Sequence, residues 1–361
     1  MKVPWDSYRE FEVDDPFNGN VLKGALSTTS NNTYGALWIT HVNGKECYQK
    51  IYATPKMHYP FDKGGNWRWP SDTLYVTVRE KLDGTNVFAY KYKDAQGNVY
   101  VSYKTRLTPV IKNSKWGKFK DWWEEMLNKY PIEEEVLNSF CDGISFELYG
   151  SKNRHLIQYD EKLNAKVLFG RLDDDILEPS SIDVELPTAK LITKIDEPDD
   201  LTSVYHEVKR QLDEQIVEED EYLRGMEGVI WYVVTKNDRI QYKEKPEAVL
   251  KEHWSHMDEK SIRVTCQNAY ENNDDPTYDD IKELLLEEYS ENDIQDNEDK
   301  IKRILSEVRD YVELKNNVLQ DYENHNLDFN ERFEETMRWY GKNYDKKDAS
   351  KIYQILEDHY K

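Results

Sequence analysis

Paired cysteines, long apolar runs, a glycine-rich phosphate loop and an excess of positive charge are all missing from this sequence. Cys47, Cys141 and Cys266 are widely spaced and odd in number. Neither a disulfide framework nor a Cys-x-x-Cys zinc site is therefore supported. No stretch approaches the roughly 20 apolar residues of a membrane-spanning helix. The opening MKVPWDSYREFEVDD lacks the apolar core of a signal peptide, so a cytoplasmic protein with no membrane partner is expected. The pattern Gly-x-x-x-x-Gly-Lys-Ser/Thr does not occur, which removes nucleotide binding through a P-loop. His253-Trp-Ser-His256 has no evident third metal ligand, and the acidic run at 293–300 lacks the glycine of a calcium loop.

What is present is acid and aromatic. The 361 residues hold 49 Lys+Arg against 71 Asp+Glu, a formal charge of −22, with 10 Trp, 26 Tyr and 10 Phe. So many rings, each able to bury a large area, argue against a disordered acidic chain. The charge is uneven: residues 1–170 are at +2 and residues 171–361 at −24. Any phosphate-facing surface belongs in the first part.

Residues 1–75 mix short β-type runs at 35–42 and 48–53 with turn signals at Asn18-Gly19, Asn43-Gly44 and Gly64-Gly65-Asn66. Strands are predicted at 74–78, 86–92 and 99–103, then at 139–149, 166–172, 228–234 and 239–242. An amphipathic helix is predicted over 118–129, Pro131 opens a short acidic turn, and 198–221 reads as an acidic surface helix. After about residue 260 one proline and one glycine occur in 101 residues. Ile301, Ile304, Leu305, Val308, Tyr311 and Val312 recur there at helical spacing. The fold class is α+β: a β-rich domain followed by a small all-α domain.

Five short segments carry chemistry. Lys81-Leu-Asp-Gly-Thr-Asn86 follows a strand directly, a suitable position for an amine nucleophile. A free lysine is almost wholly protonated at pH 7, so such a role needs burial or neighbouring cations to lower its pKa. Ser145-Phe-Glu-Leu-Tyr-Gly150 places Glu147 where a carboxylate could accept sugar hydroxyl protons, and 165–171 offers an aromatic platform. Met226-Glu-Gly-Val starts a strand with a carboxylate suited to a hard cation such as Mg²⁺. Ile240-Gln-Tyr-Lys-Glu-Lys245 puts Lys243 and Lys245 on one side of a strand, where both can meet one polyphosphate. Taken singly, each is more often an ordinary strand or hairpin with solvated charge.

In order, with separations of 66, 80 and 16 residues from Lys81 through Glu147 and Glu227 to Lys243, the set resembles the covalent nucleotidyltransferases: ATP-dependent RNA and DNA ligases and mRNA capping enzymes. Asn153-Arg-His-Leu-Ile-Gln-Tyr159 is similar to a stretch found after the Phe-Glu motif in that superfamily. The resemblance covers about residues 74–247. It implies an antiparallel-sheet-rich, ATP-grasp-like ligase fold, with an extension over 1–75, an adenylation domain over 76–255 and an acidic helical domain over 256–361. It further implies that Lys81 attacks the α-phosphorus of ATP to form lysyl-AMP, with Asp83 beside it. Arg106 would contact phosphate or ribose, Glu147 the ribose hydroxyls, and Phe169 the adenine face. Glu227 would help bind Mg²⁺ or Mn²⁺, while Lys243 and Lys245 would hold the α-phosphate.

The 116 residues after Lys245 lack the glycine and proline turns of the small barrel usual in DNA ligases and capping enzymes. The chain therefore looks like the phage-type RNA ligases, acting on RNA ends or a nicked duplex. A DNA or mixed RNA/DNA nick ligase is the alternative within the superfamily, and a non-catalytic scaffold binding a basic partner is the alternative outside it. Candidate nucleic-acid contacts are Asn86, Lys104, Lys112, Lys115, Lys118 and Lys120, the lysines interleaved with Trp116, Phe119, Trp122 and Trp123. The competing reading buries those rings in the core and solvates the lysines.

Overall fold

The computed structural model describes residues 2–29, 33–62, 64–113, 118–153, 155–219, 222–255, 257, 259–272, 275–286, 289, 291–325 and 327–360. The chain divides into two compact units, Met1–Ser255 and His256–Lys361.

The first unit opens with β1 (Tyr8–Asp14), β2 (Val21–Ser27), β3 (Leu37–Val42) and β4 (Lys45–Ile51), an antiparallel sheet in sequential order. Next come β5 (Thr73–Lys81), β6 (Gly84–Lys93), β7 (Val99–Lys104), α1 (Phe119–Lys129), α2 (Ile132–Asn138), β8 (Gly143–Tyr149), β9 (Asn164–Leu172) and β10 (Asp175–Leu177). The unit closes with β11 (Leu191–Asp196), α3 (Leu201–Gln215), β12 (Val217–Glu219), β13 (Tyr222–Arg224), β14 (Gly228–Thr235), β15 (Arg239–Glu244) and α4 (Glu247–Ser255). A second sheet runs β10-β9-β8-β6-β7 and a third runs β11-β5-β14-β15.

Side-chain alternation along each strand decides which layer it serves. On β6, Val87 and Ala89 join a core with Trp123 and Met126 of α1 and Val136 of α2. Phe88, Tyr90 and Tyr92 point the other way, against Leu22, Leu37 and Ile39 of the first sheet. On β14, Val229, Trp231 and Val233 pack with Val76 and Val78 against Leu201, Tyr205, Val208 and Leu212 of α3. The helix begins at Asp200, whose carboxylate accepts from the Thr202 and Ser203 N–H groups at 3.0 and 3.1 Å, a side-chain cap. Ile230 and Tyr232 face inward instead and meet Phe169 of β9. The Tyr232 hydroxyl donates to the Leu168 carbonyl at 2.6 Å, joining the second and third sheets. The gap between these sheets holds the candidate site.

The second unit contains α5 (Glu259–Asn272), α6 (Tyr278–Leu285), α7 (Glu291–Asp296), α8 (Glu298–Asn324), α9 (Phe333–Asn343) and α10 (Ala349–Tyr360). Ile301, Ile304, Leu305, Val308 and Val312 form the buried stripe of α8. No described helix is long and apolar enough to cross a membrane.

Two elements depart from expectation. The acidic turn after Pro131 is the helix α2, because Ile132 and Val136, one turn apart, bury against the core while the three glutamates between them stay outside it. The helix expected over 198–221 stops at Gln215, and β12 pairs with β13 beyond it.

Candidate active site

Lys81 ends β5, and its register partner on β14 is Gly228, so Glu227 arrives next to it. On the far side of β14, Ile230 pairs with Lys243 of β15. Opposed residues of an antiparallel ladder share a face. Lys81, Ile230, Lys243 and Lys245 therefore project from the inner face of the third sheet.

Glu227 is the hinge of the arrangement. One carboxylate oxygen accepts from Lys81 Nζ and the other from Lys245 Nζ, the latter at 3.0 Å with both side chains only 4% exposed. Burial pushes the Glu227 carboxyl upward, but the charges of Lys81 and Lys245 win and hold it down at about 2. Cations around Lys81 were expected to favour its neutral amine; its immediate neighbour is instead an anion. An ammonium paired to a carboxylate lacks the lone pair that attack on phosphorus requires, so this pair must open before any such chemistry.

Glu147 enters from the opposite sheet. It alternates with Phe146 and Leu148, which point into the α1 core, and so it turns toward the gap. Burial pushes it up to about 8, against the pull of Lys81 and with Glu227 and Asp83 adding to the rise. At pH 7 such a carboxyl is mostly neutral and can both donate and accept, which suits a pair of vicinal hydroxyls.

Asp83 is held by a cradle whose parts come from the Asn153–Tyr159 stretch. Its carboxylate accepts from the Leu156 and Ile157 N–H groups, each at 2.6 Å, and its own N–H donates to the Tyr159 hydroxyl at 2.8 Å. Asn153 ties the same stretch to the Leu148 carbonyl at 2.7 Å and to Thr85 at 3.1 Å. Burial and the charge of Glu227 push the Asp83 carboxyl upward, against His155, the Ile157 N–H and Lys81. The sequence flagged this stretch by its pattern; its contact with the Lys81 segment appears only in three dimensions. Gly84 has an ordinary backbone conformation, and its lack of a side chain serves close pairing. A Cβ there would stand 2.2 Å from the Leu148 carbonyl oxygen of β8. Glu80, which precedes Lys81 and has no role assigned from sequence, pairs with Lys166 at 2.7 Å, beside Glu147 in register.

Several candidates fall elsewhere. Phe169 is 1% exposed and enclosed by Ile230 and Tyr232, with Met57, Leu168 and Ile176 around them. A base-stacking platform needs an open ring face, and this ring has none here. Asn86 was a candidate contact to nucleic acid, yet its amide donates to Ser145 Oγ and the Phe146 carbonyl at 2.8 and 3.0 Å. Its oxygen accepts from Thr54 at 2.6 Å. It braces the Glu147 strand instead. Lys104 leaves the set of surface cations altogether, being fully buried.

Arg106 is half-buried on the loop after β7. Lys112 and Lys118 are exposed, while Lys120 pairs with Glu124 at 2.6 Å. Trp123 is buried and Phe119 and Trp122 pack on the same core, which is the interior reading of that helix. Lys115 and Trp116 lie outside the described residues, as does the side chain of His253 and all of His256.

Glu227 is the residue expected to help hold a divalent cation, and both its oxygens are engaged by lysines. Among the described residues no group of three or more His, Cys, Asp or Glu is set to hold a metal. One carboxylate is a small share of the six or more oxygen ligands a hard divalent cation takes, so most of its ligands would have to come from outside the chain.

No protein-family model and no curated protein matches the chain. Among solved structures it is similar to an archaeal ATP-dependent RNA ligase, with TM-score 0.44 and 15% identity over 97% of this chain and 84% of that one. It is also similar to a putative ATP-dependent DNA ligase from Aquifex aeolicus, with TM-score 0.39 and 13% identity over 88% and 77%. A third is an RNA ligase of Naegleria gruberi with AMP and Mn, with TM-score 0.33 and 12% identity over 50% and 52%.

Proposed function

We propose that this chain is an ATP-dependent polynucleotide ligase acting through a covalent lysyl-AMP, with RNA as its preferred substrate. The observation that carries the reading is the Lys81–Glu227–Lys245 arrangement, in which Glu227 and Lys245 are buried and Lys81 is partly exposed, with Glu147 facing it from the opposite sheet. Such a concentration of buried charge is costly to fold around and has an obvious use where a phosphate reacts.

In this reading Glu227 first shields Lys81. Nucleotide phosphates then compete for Lys81, Lys243 and Lys245, and Glu227 turns away from Lys81, which gives up its proton to solvent water. The neutral Nζ attacks the α-phosphorus; a P–N bond forms, the bond to the bridging oxygen breaks, and pyrophosphate leaves with the electron pair. Lys243 and Lys245 stabilise the charge that builds on the phosphoryl oxygens. A divalent cation, when bound, would neutralise phosphate charge, with Glu227 as its protein ligand. Glu147 would orient the ribose, and Arg106 would contact a phosphate or the ribose. AMP would then pass to the 5′-phosphate of a strand and be displaced by a 3′-hydroxyl.

Preference for RNA is supported by the helical unit after Ser255, which stands where DNA ligases and capping enzymes usually carry a small barrel. Two experiments test the reading. Purified protein incubated with α-labelled ATP and Mg²⁺ should retain one labelled AMP, and Lys81→Ala should abolish the label. An adduct that survives this substitution would sink the assignment. Sealing of single-stranded RNA, nicked RNA duplex and nicked DNA should favour RNA, and exclusive sealing of DNA would overturn the preference.

A further inference from the structure

The loop bearing Arg106 is gripped from three directions. Lys104, the last residue of β7, folds its side chain back beneath the loop. Its Nζ donates to the Thr105 carbonyl at 2.7 Å and the Arg106 carbonyl at 3.0 Å. Gly35, in the turn between β2 and β3, has φ of +80° and lies so close that a Cβ would stand 2.2 Å from the Arg106 carbonyl oxygen. Arg9 of β1 donates from Nη2 to the Leu107 carbonyl at 2.7 Å. The loop also closes on itself through a Thr105–Thr108 hydroxyl contact of 2.9 Å.

Lys104 is the odd member of this set. It is fully buried, and burial together with the nearby Arg106 charge pulls its ammonium down to about 7. Taking a cation out of water costs several kcal/mol unless it is well bonded. An apolar side chain of equal length would fill the same space without that cost. What methionine could not supply is the pair of hydrogen bonds to the backbone on which Arg106 sits.

We propose that Lys104, assisted by Gly35 and Arg9, is a positioning residue for Arg106, and that the amino-terminal sheet is the frame that aims this guanidinium at a nucleotide phosphate. The proposal rests on the ligase reading above. It gives the amino-terminal sheet a task in nucleotide binding although neither Arg9 nor Gly35 need touch the nucleotide.

The test is a double-substitution cycle in the full chain, reading lysyl-AMP formation against ATP concentration. Arg106→Ala should raise KM for ATP about tenfold or more, as expected for losing one charge-assisted contact. Lys104→Met should raise it in the same sense, with little change in the rate at saturating ATP. Combining them should give no more than Arg106→Ala alone, because the lysine acts through the arginine. Independent, multiplying effects would overturn the proposal, as would a Lys104→Met enzyme with unchanged KM. If Lys104→Met fails to fold, Gly35→Ala crossed with Arg106→Ala takes its place under the same criterion. Absence of any adduct in the unaltered protein would instead sink the ligase reading on which the proposal stands.

Discussion

At the scale of single residues, the site is organised by buried carboxyl groups pushed in opposite directions. Glu227 is held at about 2 by two lysines, while burial pushes Glu147 and Glu244 up to about 8. Glu244 lies between Lys243 and Lys245 in sequence but points to the other face of β15, where it accepts from the Trp231 indole at 2.8 Å. A carboxyl with a raised folded-state pKa binds its proton more tightly when folded. Stability from Glu244 is therefore present below about pH 4.5 and lost as pH rises through about 8. Melting temperature should fall between pH 5 and pH 8, and because Glu147 is raised as far, Glu244→Gln should remove about half of that fall, a difference of a few kcal/mol in stability at pH 8. An unchanged slope in the variant would show that this carboxyl is not the titrating group. The depressed Glu227 acts in the opposite sense. Its stabilisation is complete above about pH 4.5 and fades as pH drops toward 2, outside the window of that experiment.

At the scale of elements, legibility followed local composition rather than place in the sheet: the edge strands β7 and β15 were expected, while the inner strand β2, Val-Leu-Lys-Gly-Ala-Leu-Ser, was not. β5, β6, β7, β8, β9 and β14 carry dense apolar runs, β15 alternates Ile and Tyr with polar residues, and their sequence signals overlap the observed spans. β1, Tyr-Arg-Glu-Phe-Glu-Val-Asp, escaped because it is an edge strand whose three carboxylates are exposed and whose pairing is to β2 alone. α2 escaped because three consecutive glutamates masked its buried Ile132 and Val136. The pairing of β6 with β8 depends on Gly84. Gly84→Ala should push the two strands apart, destabilising the protein by about 1–3 kcal/mol, visible as a lower melting temperature. It should also slow lysyl-AMP formation, since β6 follows Lys81 and β8 carries Glu147.

At the scale of the whole molecule, the charge of −22 divides as −9 over residues 1–255 and −13 over residues 256–361. Every residue proposed to form lysyl-AMP belongs to the first unit, which has its own packed cores. A chain ending at Ser255 should therefore form the Lys81 adduct within an order of magnitude of the full-length rate. Its strand sealing should drop much further if the helical unit engages the polynucleotide. Equal loss of both activities would argue that the helical unit is needed for the first step as well.

The sequence alone determined the order and types of the reactive residues, the alternating strands that carry them, and the helical character after residue 260. These are local properties, readable from periodicity, turn chemistry and composition. Tertiary structure alone decided that Glu227 sits between Lys81 and Lys245, that Lys104 is buried and Phe169 closed in, and that Asn153–Tyr159 cradles Asp83. Lys81 and Glu227 are 146 residues apart in the chain. Their contact follows from strand register, and register is set by the packing of a whole sheet rather than by any one segment.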